Sequence, residues 1–188
     1  MNDYEFSAAY VDTVLRSLRR HPSWDALLAK LSPAALALAK DPWSQTWQPA
    51  RLLEEVGEVA VATVGGEAFE TATHTAMRDR FGPIVLPMLK SSLAASNRSP
   101  ATVLKKLNEL VKVAIRGIDV LFQADAENRG VLQVAYPRPV APHVLSSWQG
   151  VLRFVFEATT PGTITQTFHA PHGATLQFAV EWPLASPK

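Results

Sequence analysis

Two histidines, His169 and His172, lie three residues apart in the run "HAPH", and Glu181 follows in the same stretch. On a helix that spacing could bring two imidazoles to one metal ion. Here Pro171 and Gly173 break the backbone, so the run reads as a solvated hairpin turn. A zinc site would also need a third protein ligand and a supporting shell of hydrogen bonds. No metal site is assigned. His74 stands alone in "ETATHTAMRDR" and is of the residue type that ligates haem or a metal. Glu70 and Arg78 sit four residues to either side of it, the spacing of ordinary side-chain pairs along a helix.

Other chemistry is absent by motif. The "VGGEAF" stretch has adjacent glycines, Gly65 and Gly66, but no lysine–serine partner and no preceding strand. It reads as a helix junction and not as a phosphate cradle. There is no dinucleotide fingerprint and no G-x-S-x-G nucleophile elbow. The chain has no cysteine, which removes disulfides, thiolate metal sites and a cysteine nucleophile. No catalytic residue is assigned. An enzyme built on this chain would have to assemble its site from His74, His169 and Glu181.

The elements that must position these residues read as helices first and strands later. Apolar residues return at helical spacing over Glu5–Arg20, and again after Ser23 and after Ser32-Pro33. "DPWSQTWQP" is a loop carrying Trp43 and Trp47. These two tryptophans could line a pocket or anchor a partner, although such residues commonly close the end of a helical core. Pro49 opens a helix with Leu52, Leu53, Val56, Val59, Ala60 and Val64 on one side. Gly57 within it costs about 1 kcal/mol relative to alanine, which a close helix contact would offset. A further helix should stop at Gly82-Pro83, before a short apolar piece bent at Pro87. Ser99-Pro100 starts the next helix. Its lysines Lys105, Lys106 and Lys112 read as a solvated back face.

After Gly117 the period changes to two. "IDVLFQA" and "VLQVAY" alternate as a hairpin, with Ile118, Val120, Phe122, Leu132, Val134 and Tyr136 on one face. "PRPVAP" is stiff. Pro142–Ala158 is amphipathic, with Trp148 on its buried side. A second hairpin alternates through Ile164, Gln166 and Phe168, then Leu176, Phe178, Val180 and Trp182. The expected fold is α+β: an N-terminal helical half packed with a C-terminal four-stranded antiparallel sheet, arranged hairpin–helix–hairpin, with that helix over the apolar face. With 188 residues and no flexible linker, one domain spans 1–188. Within it, 1–46 forms a helical extension, 47–116 a helical core and 117–183 the hairpin–helix–hairpin.

Eighteen basic residues face seventeen acidic ones, so the net charge of +1 gives no broad drive toward nucleic acid or anionic membranes. No apolar run approaches the ~20 residues of a membrane span. The N-terminus lacks a signal-type apolar core, so the expected location is cytoplasmic.

The stretch "WQPARLLEEVGEVAVATVGGEAFETATHTAMRDRFGPIVLPML" resembles the helical core of a superfamily of ligand-binding domains. Its members are the haem–nitric-oxide-binding domains, the vinyl-reductase-type regulatory domains and the TRAPP-like transport subunits. "YPRPVAPHVLSSWQGVLRFVFEATTPGTITQTFHAPHGATLQFAVEW" resembles their closing strand–helix–hairpin. The "E-x-x-G", "FGP" and terminal tryptophan elements are most similar to bacterial paralogues of the myxobacterial type. The resemblance implies a helix-lined cavity or a dimer surface and supplies no catalytic residue. The chain lacks the Y-x-S-x-R haem motif of the nitric-oxide sensors and the cysteines of aromatic-sensing relatives, so the cofactor is left unassigned. The resulting expectation is a non-catalytic binding or sensory module. It would take a small apolar ligand in a pocket formed by Trp43, Trp47, Phe69, His74, Met77 and Met88, or a protein partner, or a second copy of itself.

Overall fold

The computed structural model describes residues 3–95, 99–159, 162–169 and 173–184. Strand β1 (Glu5–Ser7) leads into α1 (Ala8–Arg19), α2 (Trp24–Leu28) and α3 (Pro33–Lys40). Strand β2 (Trp47–Pro49) precedes α4 (Ala50–Val64), α5 (Gly66–Ala95) and α6 (Pro100–Val111). The chain then forms β3 (Ile115–Arg116), β4 (Asp119–Ala126), β5 (Arg129–Ala135), α7 (His143–Ala158), β6 (Thr163–His169) and β7 (Thr175–Glu181).

Several starts follow from local chemistry. Ser7, Ser32 and Ser99 cap α1, α3 and α6 by accepting backbone N–H bonds from Tyr10, Ala35 and Ala101. Gly65, at φ 91°, turns the chain between α4 and α5, a backbone state that other residues rarely adopt.

The four-stranded antiparallel sheet has the order β4-β5-β7-β6. Val120 pairs with Val134, Phe122 with Leu132, and Leu132 in turn with Phe178, so one face collects the apolar set. Leu132, Val134, Leu176, Phe178 and Val180 are buried, as is Trp182 beyond the last strand. Two helices serve this core, where the sequence suggested one. Helix α6 packs along β4, and Asn108 Oδ1 accepts the Val120 N–H at 3.1 Å. Helix α7 carries Trp148 to Tyr136 and Phe156 to Gly162.

Helix α7 is buried on its other side too, against α5. The contact is closest at Gly150, where a Cβ would stand 2.6 Å from the Glu70 carbonyl oxygen and 2.8 Å from the His74 nitrogen. Gly57 is likewise the point of close approach anticipated for α4: a Cβ there would meet His143 and Phe69 at 2.8 and 2.9 Å.

Four details depart from the sequence pattern. Glu5–Ser7 is a strand, not the first turn of α1, and joins β2 and β3 in a three-stranded sheet of order β2-β1-β3. Strands of two or three residues are too short to show an alternation. Helix α5 runs through Gly82-Pro83 and Pro87 to Ala95. Each interior proline costs about 3 kcal/mol, but extending a helix already anchored on α1, α4 and α7 needs no new nucleus. In β6 the register slips between Ile164 and Gln166, so Thr167 pairs with Phe178 and Phe168 with Gln177. The simple alternation of Ile164, Gln166 and Phe168 therefore ends at the bulge. A second irregularity sits in β4 between Ala124 and Ala126. His172 lies outside the described residues.

Replacing Gly150 by alanine should destabilise the protein by about 1–2 kcal/mol in urea unfolding. The added methyl meets backbone that cannot yield, at about 1–3 kcal/mol, which exceeds the gain of about 1 kcal/mol in helix propensity. An unchanged or raised midpoint would show that α5 and α7 do not meet there.

Candidate functional site

All three tyrosines of the chain converge on one interior point. Tyr4 comes from the segment before β1, Tyr10 from α1, and Tyr136 from the end of β5. The Tyr4 and Tyr136 rings meet edge to face at 5.1 Å, and Phe6 stacks on Tyr10 at 5.6 Å. Trp148 Nε1 on α7 donates to the Tyr136 hydroxyl at 2.5 Å. Phe69, Val144 and His143 close the remaining sides, leaving a cavity of about 40 Å³.

Polar groups at this point are held by charge. The Tyr4 hydroxyl donates to Glu54 Oε1. Glu54 also receives Arg138 Nη2 at 2.6 Å, and Arg138 Nε reaches Asp3 Oδ1 at 2.9 Å. The Arg138 guanidinium lies 5.2 Å over the Tyr4 ring, in cation–π range. Burial opposes the Arg138 charge, but its hydrogen bonds to Glu54 and Asp3 prevail and hold the proton more firmly than usual. Burial, then the Glu54 hydrogen bond, pushes the Tyr4 hydroxyl far above the ordinary tyrosine range. Burial raises Tyr10 to about 12, against a hydrogen bond with Ser147. All three phenols therefore stay protonated at neutral pH, Tyr136 again through burial. Burial lowers the His143 imidazole below the usual histidine value, against the pull of Glu54 and Glu58. The cluster offers neutral donors and acceptors in an aromatic box, with no activated nucleophile.

The residues expected to form a ligand pocket are dispersed. Phe69 lines the cavity. His74 is buried one residue beyond the cavity-lining Thr73, on the seam between α5 and α7. Its Nε2 meets Glu157 Oε2 of α7 at 2.6 Å, a partner across helices in place of Glu70 or Arg78 along its own. Met77 is a buried core residue, and Met88 belongs to a part of α5 whose side chains are not described. Trp47 lies under the Arg116 guanidinium at 4.7 Å. Trp43 stands 59% exposed on the loop after α3. His74, His169 and Glu181 do not converge: His169 and Glu181 pair at opposite ends of the β6–β7 ladder, and His74 is on α5. Among the described residues no three histidine or acidic side chains gather as a metal site.

Sequence reasoning missed Tyr4, Tyr10, Glu54, Tyr136, Arg138 and His143. The available signal was that aromatics with a polar tip fell on otherwise apolar faces, Tyr10 on α1 and Tyr136 on β5. Nothing local announced that they would share one point.

No protein-family model and no curated protein matches the chain. Solved structures do. A Cs H-NOX mutant carrying 4-cyano-L-phenylalanine superposes with a TM-score of 0.60 at 10% identity, over 94% of this chain and 96% of that one. A mutant of T. Tengcongensis H-NOX gives 0.58 at 9% identity, covering 94% and 97%. An oxygen-binding H-NOX domain related to soluble guanylate cyclases gives 0.57 at 9% identity, covering 95% and 96%. The chain has the H-NOX fold over nearly its whole length, an α+β architecture as the sequence suggested. No helix among the described residues is long and apolar enough to cross a membrane.

Two outcomes test this site. Tyr136→Phe leaves the buried Trp148 N–H without its acceptor and should cost about 1–3 kcal/mol of unfolding free energy. A neutral result would separate the two side chains. Folded His143 binds its proton less readily than the unfolded chain does, so acid favours the unfolded state. Its contribution is complete above the unfolded value of about 6.5 and declines as pH falls below it. His143→Gln should lose less stability than the parent between pH 7 and pH 5 in chemical denaturation. Equal losses in both proteins would place His143 in water.

Proposed function

We propose that the chain is a non-catalytic sensory or regulatory module that uses the H-NOX fold with its interior closed by its own aromatic side chains. The similar structures include an oxygen-binding domain related to soluble guanylate cyclases and proteins described for heme distortion and redox potential. Carrying the fold's role across to this chain supports a sensor. Carrying its porphyrin across meets an obstacle.

The obstacle is volume. The interior space is about 40 Å³, against roughly 300–1,000 Å³ for sites that enclose small organic ligands. Tyr4, Phe6, Tyr10, Tyr136 and Trp148 occupy the room, locked by ring contacts and the indole–phenol hydrogen bond. The two described histidines near the centre are also ill placed. His74 is committed to Glu157, and the His143 ring lies against Gly57 and Phe69. A haem does not fit this arrangement. The filled interior is the observation that carries the reading. What the module senses must then be smaller than a porphyrin, or must act from its surface on a small ligand or a protein partner.

The acids and phenols that do converge are tied to one another, Tyr4 and Arg138 to Glu54 and Arg138 to Asp3, with no activated nucleophile beside them, which supports a binding role over catalysis. Among the described residues, the exposed large apolar side chains Trp43, Val113, Leu121 and Leu184 lie on four separate segments and form no single patch for self-assembly.

Titrating purified protein with hemin under reducing and oxidising conditions tests the proposal. The expected outcome is no stoichiometric complex and no sharpened Soret band, with circular dichroism confirming a folded chain. A one-to-one complex whose band is lost in His143→Ala or His74→Ala would overturn it. As a positive control, Phe6→Ala with Tyr136→Ala should open the interior and admit an apolar dye that the parent excludes.

A further inference from the structure

We propose that the cleft between α1, α5 and the loop after α3 binds a small planar aromatic anion, of about the size of a nucleoside monophosphate. The inference concerns a different part of the molecule from the aromatic interior and does not depend on how that interior is filled.

The cleft encloses about 340 Å³, at the lower end of the range for small-molecule sites. Arg16 and Arg20 project from the end of α1, Arg80 from α5, and Trp43 from the loop, with Ser17 among the lining residues. Two acids, Asp12 and Asp79, line the same cleft. Asp12 is buried and holds Arg16 at 2.7 Å, and Asp79 faces Arg78 at 3.7 Å. Among the described residues, Arg20 and Arg80 have no carboxylate within ion-pairing distance. Arg16, Arg20 and Arg80 thus line one concavity together with Asp12 and Asp79, so its guanidinium groups outnumber its carboxylates by three to two. Favourable placement near the C-terminus of α1 accounts for Arg16 and Arg20 through the helix dipole, but not for Arg80. A phosphate or carboxylate balances the remaining positive charge, and a guanidinium fork is shaped to grip it through two parallel bonds.

Trp43 supplies the aromatic half. Its ring is 59% exposed, yet its loop is braced from below. Gln48 is buried, and its Nε2 donates to Pro42 O at 2.9 Å, to Ser44 Oγ at 3.2 Å and to Gln45 O at 3.2 Å. The Trp43 backbone N–H donates to Asp41 Oδ1 at 3.1 Å. A braced loop presents the indole at small entropic cost, so little ordering remains when a ligand arrives. Stacking a planar ring on such an indole adds a contact that does not depend on charge. The cations and the indole line the same cleft, so one molecule carrying both a ring and an anionic group can engage both.

Adenosine monophosphate is the probe, with adenosine, ribose 5-phosphate and inorganic phosphate as controls, followed by calorimetry and tryptophan fluorescence. Adenosine monophosphate should bind at least ~10-fold more tightly than any control, because each control lacks one half of the recognition. Trp43→Ala and Arg80→Gln should each weaken binding ~10-fold, and Arg80→Lys should recover only part of the loss. Trp43→Phe keeps a stacking surface, so it should retain binding while the fluorescence change disappears; this variant guards against misfolding as the cause of a loss. No saturable binding at millimolar concentrations would overturn the proposal. So would inorganic phosphate binding as tightly as the nucleotide, or binding indifferent to both Trp43→Ala and Arg80→Gln.

Discussion

The meeting of α5 and α7 at Gly150 is the constraint on which the rest of the molecule depends. Helix α7 is covered on both faces, by α5 on one and the sheet core on the other, and Val151, Leu152, Phe154, Val155 and Phe156 are all buried. With both of these faces packed and only an edge that carries Arg153 and Glu157 open to solvent, the helix takes its position from its neighbours' shapes. The absence of a side chain at residue 150 lets the α5 backbone come within van der Waals reach. The same seam carries the His74–Glu157 bond, so His74, buried between these helices, fixes their rotation as well as their distance. With α7 placed, Trp148 is directed at Tyr136 and His143 is brought beneath Gly57.

The interior that results is aromatic but not purely apolar. The buried donors have specific acceptors: Glu54 for the Tyr4 hydroxyl, Tyr136 for the Trp148 indole and the Phe69 carbonyl for Thr73. Pairing of this kind is what makes burial of polar atoms tolerable. It also restricts the rings to one arrangement, because turning any of them strands a donor. Arg138 extends the order outward, joining Asp3 near one end of the chain to Glu54 on α4. A fold that elsewhere accompanies heme is here packed around phenols and an indole.

Much of the architecture was legible in the residues because it rests on periodicity. The α4 and α6 stripes, the β4–β5 face and the caps at Ser32 and Ser99 are local signals that appear where their patterns placed them, whereas Ser23 starts α2 without a side-chain cap bond. What failed to show has a physical explanation in each case. Strands β1, β2 and β3 are too short to alternate. Pro83 and Pro87 are breakers by propensity, yet α5 continues through both because the helix was already formed and anchored. The candidate sites were less legible still. Tyr4, Glu54, Tyr136 and His143 are distant in sequence and meet only through tertiary packing. His74 drew notice for its ligating chemistry, but Glu157, 83 positions away, takes up that capacity. Trp43 was recognisable as a loop aromatic, whereas the brace beneath it depends on Gln48, an unremarkable polar residue in sequence.

The irregularity in β4 has a consequence for the sheet's margins. Strand β4 forms one side of the sheet, with an extra residue between Ala124 and Ala126 and with Asp119 and Asp125 along it. Asp125 and Arg129 form an exposed ion pair beside the turn. A kinked, charged border offers a poor template for a foreign strand, so lateral growth of the sheet by accretion of other chains is discouraged on that flank.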